Sequence, residues 1–303
     1  MFGNVFFRDF PYKLVTHARV FSLSFVDTNI NPKAALFISV NMQFLNKIFS
    51  YSNMASWQKI KKLGLAVFVP FKNEKIDFEY MEKFINILEE ERLQILETYL
   101  QVNSLDNCQL TDAEQLALDK ITNKEIKFKE FYVTGEKGVF DVNNTHSILK
   151  EWITPNSGIT PYVTASESNN SIVTYISYNK DSIEQGNSIM IGGKTLVVTY
   201  QEQDYFSNDS HNLALYLKNK SRTVQNQLFL VSCLYKNLKP KYSWGDSISN
   251  KKIKDDTVWL PVTDDNAIDY DFMETYIKAI EKKVIQKVIT WKDSEMKTLK
   301  TVS

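Results

Sequence analysis

Apolar and polar positions fall in the same order at two places 192 positions apart. Residues 76–89 (IDFEYMEKFINILE) and 268–281 (IDYDFMETYIKAIE) share six of fourteen residues, and five more exchange like for like. Chance would match roughly one position in such a window. Apolar residues then recur at helical spacing: Met81, Ile85, Leu88, Ile95 and Tyr99 in the first copy, and Met273, Ile277, Ile280, Val284, Val288 and Trp291 in the second. Asp77 and Asp269 are placed as N-caps, with Ile76 and Ile268 stapling to Met81 and Met273. Steps of seven, Met81 to Leu88 to Ile95 and Ile277 to Val284 to Trp291, predict that the two helices pair along a narrow coiled-coil seam.

The repeat reaches further upstream. Residues 36–70 and 228–261 each pass through an apolar helix, a polar loop holding Tyr51 or Tyr242, a lysine cluster, and a β-rich strand (LAVFVP or TVWLPV). The clusters are Lys59, Lys61 and Lys62 in the first copy and Lys251, Lys252 and Lys254 in the second. Between the copies, Thr111 and Glu114 stand at capping-box spacing and predict a short helix over residues 110–121, followed by a lysine-rich linker. The segments FYVTG, GVFDV, PYVTAS, SIVTYISY, NSIMI and TLVVTYQ then predict strands, closed by a helix over residues 227–236. Residues 3–23 match residues 193–215 only loosely, so the first copy has no counterpart to the opening strands of the second.

Charge separates the two long helices. The first carries Glu79, Glu82, Glu89, Glu90, Glu91 and Glu97; the second, past its first turn, carries Lys278, Lys282, Lys283, Lys287, Lys292, Lys297 and Lys300. They read as partners for each other, against the alternative of two solvated faces. Over the whole chain 36 basic residues balance 36 acidic ones, which argues against a protein that coats nucleic acid non-specifically and leaves room for a local basic face. Hydrophobic residues at 43% and charged residues at 24% are those of a soluble globular chain, and 303 residues suffice for two domains. No apolar run approaches the ~18 residues of a membrane span. The start (MFGNVFFRDFPYK) lacks signal-peptide order, which predicts a cytoplasmic protein. Cys108 and Cys233 are too few and too isolated for a disulfide framework or a zinc site, and read as inert thiols.

Catalytic motifs fail on inspection. Ile191-Gly192-Gly193-Lys194-Thr195 ends like a phosphate-binding loop, but Ser188 stands where a glycine is needed and a strand follows instead of a helix; a hairpin turn is the better reading. Glu281-Lys282-Lys283 matches a nuclease fragment without a suitably placed aspartate, and Asn31-Pro32 lacks the Pro-aromatic pair of an adenine methyltransferase. His17, His146 and His211 lie far apart without neighbours at metal-ligand spacing. The reading is a non-catalytic chain with no cofactor and no metal.

The chain resembles the DNA-specificity (S) subunits of type I restriction-modification systems and the related recognition subunits of type IIG-like enzymes. The resemblance rests on the strand-Pro-turn-(I)D(F/Y)xxME-helix unit in both copies, on residues 158–172 (GITPYVTASESNNSI), on residues 186–189 (GNSI) and on residues 198–206 (VTYQEQDYF). It implies an α+β fold: two β-rich mixed recognition domains, the first incomplete, separated by long antiparallel coiled-coil helices. The boundaries would be residues 1–75, 76–125, 126–264 and 265–303. It further implies a specificity subunit that binds double-stranded DNA and directs methyltransferase (M) subunits, with a restriction (R) subunit as a further partner; self-pairing belongs instead to the reading of the chain as a half-subunit, and the lack of an apolar span leaves no membrane partner.

Two departures stand out. The family's Asn-Asn-Gly-Ile is here Asn169-Asn170-Ser171-Ile172, so a position that permits positive φ carries a side chain. The first recognition domain lacks this motif, leaving residues 131–261 as the one complete reader. Residues able to meet base edges or phosphates gather in its loops: Tyr162, Thr164, Ser166, Asn169 and Asn170; Gln201; Lys239, Lys241 and Tyr242; Lys251 and Lys252. The rival readings are a truncated or half-specificity subunit without independent split-site recognition, and a restriction enzyme with an unrecognised active site.

Overall fold

The computed structural model describes residues 3–14, 20–25, 30–64 and 67–302, in two compact units. Unit 1 comprises residues 1–106 and 287–303, and unit 2 residues 107–286.

In unit 1, helix α1 (Pro32–Asn41) starts at Asn31, whose side chain accepts from the Lys33 N–H, with proline at the first helical position. Helices α2 (Leu45–Ile48) and α3 (Trp57–Lys62) follow. The latter places Lys59, Lys61 and Lys62 of the first lysine cluster on a short helix capped by Ser56. Strands β1 (Phe71–Lys72) and β2 (Lys75–Ile76) form a hairpin whose turn residues, Asn73 and Glu74, both have positive φ. Helix α4 (Phe78–Val102) then begins at Asp77, which accepts from the Tyr80 N–H at 2.9 Å. The core gathers Ala34, Ile38 and Met81 with Val67, Val69 and Phe78.

Unit 2 opens with α5 (Asp112–Thr122), whose predicted capping box is present in both directions between Thr111 and Glu114. Strands β3 (Phe128–Tyr132), β4 (Phe140–Asn144), β5 (Thr160–Val163), β6 (Ile172–Ile176), β7 (Ser188–Ile191), β8 (Val198–Gln201), β9 (Phe206–Ser207) and β10 (Leu213–Leu217) lead to α6 (Val224–Leu238), β11 (Thr257–Pro261) and α7 (Tyr270–Val302), which continues into the residues of unit 1. They make an antiparallel sheet in the order β4-β10-β7-β8, a mixed sheet β6-β5-β9, and a ribbon β11-β3. Helix α6 packs Phe229, Leu230, Leu234 and Leu238 into the core with Ile189, Ile191, Leu213 and Leu215 of the larger sheet. The α+β reading holds. None of the described helices is long and apolar enough to cross a membrane.

The duplication is geometric as well as textual. In unit 1 Phe37 meets Phe84 edge-on at 5.6 Å and Phe84 stacks with Tyr80 at 6.3 Å. In unit 2 Phe229 meets Tyr276 edge-on at 5.9 Å and Tyr276 stacks with Phe272 at 5.9 Å, each residue 192 positions later. Met81 and Met273 are fully buried, and Asp269 accepts from the Phe272 N–H as Asp77 does from Tyr80. The Pro70 carbonyl accepts from the Asp77 N–H at 2.9 Å and the Pro261 carbonyl from Asp269 at 3.0 Å, so the second turn is one residue longer.

Three expectations change. The buried stripe of α4 is Met81, Ile85, Leu93 and Leu100, whereas Leu88 and Ile95 of the predicted seam are 39% and 52% exposed and Val284 and Trp291 are exposed too. Packing follows the 3.6-residue turn of the helix, not a strict step of seven. Of the predicted LAVFVP strand, residues 65–66 lie outside the described residues, and residues 67–70 form no strand and have no strand partner among them. Finally β10, which had no predicted counterpart, sits inside the larger sheet between β4 and β7.

Candidate nucleic-acid interface

Residues 164–171 connect β5 to β6 and are held from below. Asn169, Asn170 and Ser171 take successive left-handed conformations, with φ of 51°, 48° and 66°. Ser171 thus keeps the backbone a glycine would favour, at a cost of about 1–2 kcal/mol, and its buried hydroxyl donates to the Ser166 carbonyl at 2.8 Å. Asn170 Nδ2 donates to the Tyr200 carbonyl at 2.9 Å, and Gln201 Nε2 donates back to the Asn170 carbonyl at 3.1 Å. Asn169 Nδ2 donates to the Ile172 carbonyl at 2.8 Å. Both asparagines remain exposed and keep an Oδ1 acceptor without a partner among the described residues. Ser166 and Ser168 share a hydroxyl bond at 3.1 Å, and half-buried Thr164 anchors the loop through its N–H to the Ser171 carbonyl.

A second loop abuts the first. Residues 192–197 form the β7–β8 hairpin, as expected for IGGKT. A Cβ at Gly193 would lie 2.2 Å from the His211 carbonyl, so only glycine lets these chains approach. Thr195 Oγ1 donates to the Ala165 carbonyl, and Lys239 Nζ donates to the Thr195 carbonyl, each at 3.2 Å. Lys194 Nζ lies 3.2 Å from Asp209 Oδ2 and His211 Nδ1 lies 2.7 Å from Asp209 Oδ1. Burial raises the Asp209 carboxyl, but hydrogen bonds from the His211 N–H and ring and from Lys194 outweigh it and hold the group below its usual range. Neither Lys194 nor His211 was among the expected site residues; His211 bonds Asp209 from two positions away, whereas Lys194 reaches it only through the fold.

The remaining expected residues divide. Tyr162 and Gln201 are each 2% exposed. The Tyr162 hydroxyl donates to the Ile148 carbonyl at 2.7 Å, and Gln201 Nε2 also bonds Thr199 Oγ1 at 2.9 Å. Their polar ends are used inside the protein, so they support the loops and do not fit direct contact. Lys241 pairs with buried Asp256 at 3.0 Å, and the Tyr242 hydroxyl donates to the same carboxylate. Burial, then Asp256, pushes that hydroxyl well above its usual range. Lys252 pairs with Asp246 and lies over the Tyr242 ring at 5.8 Å. Lys251 is exposed and has no ion partner among the described residues. Asn250 pins this loop to the Val142 carbonyl of β4, whereas residues 164–171 bond β8, so the expected cluster splits between the two edge strands of one sheet.

No group of three or more His, Cys, Asp or Glu side chains among the described residues is placed to hold a metal. His17 lies outside those residues, and His146 pairs with Glu184 at 2.8 Å. Of the nuclease-like Glu281-Lys282-Lys283, Glu281 accepts from Gln225 at 3.4 Å and Lys282 pairs with Glu114 at 2.7 Å, both ties between elements of the fold.

Comparison with known proteins bears on this arrangement. The family described as type I restriction modification DNA specificity domain matches residues 1–98 and 129–290. A curated relative, the type II restriction enzyme BgcI specificity subunit S.BcgI of Heyndrickxia coagulans, is 26% identical over 260 residues, covering 85% of this chain and 69% of the relative. Among solved structures, the S subunit of a type I restriction-modification system from M. genitalium overlaps with a TM-score of 0.46 at 14% identity, over 90% of this chain and 70% of that one. The HsdS subunit from Thermoanaerobacter tengcongensis gives 0.39 at 12% identity, over 90% and 68%. With a family match on each copy of the repeat and together over most of its length, the chain belongs to the type I restriction-modification DNA specificity family, as a DNA-recognition subunit and not a catalytic one.

Proposed function

We propose that unit 2 reads one half of a split DNA site through residues 164–171, the hairpin at residues 192–197 and Lys239, and so selects in the cytoplasm the sequence on which partner methyltransferase and restriction subunits act. The observation that carries this reading is the loop at residues 164–171, exposed at Asn169 and Asn170 yet locked to β8 from beneath. A loop already fixed in the free protein loses little conformational freedom on binding. The Oδ1 atoms of Asn169 and Asn170 suit the exocyclic amines of adenine and cytosine in the major groove. Lys194, Lys239 and His211, on the segments that meet the neighbouring hairpin, serve as phosphate partners, which position the duplex without reading it. Helices α4 and α7 serve as the paired spacer; Lys292, nearly buried, lies 3.3 Å from Glu97 and supports that role.

A mobility-shift series with the methyltransferase partner and randomised duplexes tests the proposal. Asn169→Ala is expected to relax selection at one base position by about 1–3 kcal/mol, and Lys239→Ala to weaken all sequences alike and lower the salt slope by about one. Sequence-independent binding by the intact chain would overturn it.

A further inference from the structure

The two copies of the helix joint differ at one edge. In unit 2, β11 turns Val258 and Leu260 into the core and pairs along its edge with β3, Val258 opposite Phe131 and Leu260 opposite Lys129. The Val133 N–H donates to the Asp256 carbonyl at 2.9 Å and the Val262 N–H to the Lys127 carbonyl at 3.0 Å. Bonded pairs alternate along an antiparallel ladder, so Val258–Phe131 and Leu260–Lys129 are bonded and the amides of Trp259 and Glu130 point away.

In unit 1 the matching bonds from Asp77 to Pro70 and from Asp269 to Pro261 align Val67, Phe68 and Val69 with Val258, Trp259 and Leu260. Val67 and Val69 pack against Ala34, Ile38 and Met81, as Val258 and Leu260 pack with Leu230 and Met273. The inward and outward alternation is the same. Yet the main chain of Val67, Phe68 and Val69 makes no hydrogen bond among the described residues, and none of them supplies a counterpart of β3. Phe68 is 85% exposed, whereas Trp259, beside β3, is 49% exposed. Unpaired N–H and C=O groups in a row, over an apolar floor, are a template for strand addition.

We infer that residues 67–70 accept an antiparallel β-strand from a second polypeptide, one with the pattern of Phe128–Tyr132. Its main chain bonds Val67 and Val69, an aromatic residue in the place of Phe131 faces Val67 and joins the apolar floor, and aromatic residues in the places of Phe128 and Tyr132 flank Phe68 on the outer face. The incoming strand restores to the first copy the contact that β3 makes in the second. The inference stands on the duplication and not on DNA reading, so its failure leaves the proposed function untouched.

The test uses the full chain and a labelled peptide of residues 126–134 (IKFKEFYVT), with fluorescence anisotropy for affinity and amide hydrogen exchange for location. The peptide is expected to bind and to slow exchange at the Val67 and Val69 amides. N-methylation at Phe131 should weaken binding by about tenfold or more, because that amide faces the edge, while N-methylation at Glu130 should leave it unchanged. Failure to bind, equal loss from both methylations, binding without protection at Val67 and Val69, binding by a scrambled peptide, or slow exchange at these amides in the free chain would each overturn the inference.

Discussion

Glu114 keeps its charge at 6% exposure, and Lys282 is what lets it. Burial raises the carboxyl, but Lys282 Nζ at 2.7 Å and the Thr111 N–H at 2.8 Å outweigh it and hold the group below its usual range. Lys282 also donates to the Gln109 carbonyl at 3.0 Å. Lys282→Met keeps the aliphatic stem and removes all three donors. A hydrogen bond to a charged group contributes about 1.5–3 kcal/mol, and breaking a buried ion pair from one side costs about 3–5 kcal/mol. Since Lys282 is 27% exposed and Thr111 still holds the carboxylate, the expected loss is at the lower end, about 2–3 kcal/mol. For a unit of this size that lowers Tm by about 5–10 °C.

A double-mutant cycle isolates the cause. Glu114→Gln retains the capping-box geometry without the charge, so it should recover much of the stability lost in Lys282→Met. The pH dependence has a definite sign. Because the folded carboxyl titrates below the unfolded one, its contribution is present above the unfolded pKa, about 4.3, and is lost as pH falls through the folded value. Calorimetry on wild type and Lys282→Met should therefore show a gap at pH 7 that closes in acid. A gap at pH 7 below about 0.5 kcal/mol, or no recovery from Glu114→Gln, would mean that the lysine face is merely solvated.

Three further outcomes are expected. Leu93→Ala should cost about 2–4 kcal/mol in urea unfolding and Leu88→Ala less than about 1 kcal/mol, since only Leu93 lies on the buried stripe; the reverse ranking would restore the heptad seam. Ser171→Gly should stay within about 1 kcal/mol of wild type, because relief of the left-handed backbone offsets the lost bond to Ser166, whereas Ser171→Val should destabilise by about 2 kcal/mol or more. Burial pushes the Cys233 thiol up to about 12, so mass mapping should find it unmodified by a thiol reagent at pH 8 until the chain unfolds; rapid native labelling would contradict that burial.

What the sequence disclosed was local, and what it concealed was set by neighbours. The caps at Asp77 and Asp269 and the box at Thr111 and Glu114 are complete within four residues, so spacing alone revealed them. Strand β10 escaped because Leu213, Ala214 and Leu215 are all fully buried, leaving no alternation to read. The exposed loop at Asn169 and Asn170 was legible from its turn-forming residues. Tyr162 and Gln201 looked alike as polar candidates, and only the fold turns their polar ends inward. Lys194 is brought onto the Asp209 carboxylate by the chain's return, where His211, two residues on, already bonds it.

The two joints explain how a recognition surface is tied to its long helix. In unit 2, β11 runs from the loop bearing Lys251 and Lys252 to Pro261, whose carbonyl accepts from the capping residue of α7. Phe272 and Tyr276, in the first two turns of that helix, clasp Phe229 of α6, while Glu274 accepts from Thr223 Oγ1 at 2.9 Å and Asn226 Nδ2 at 3.0 Å at the start of α6. Three independent ties over two turns allow little hinge motion, because bending at any one must break the others. Unit 1 repeats the aromatic clasp and the cap, but replaces the link between Gln225 and Glu281 with the ion pair between Lys33 and Glu89 at 2.7 Å. The aromatic geometry is thus common to both copies, and the polar link keeps its two positions while its donor changes from an amide to an ammonium group.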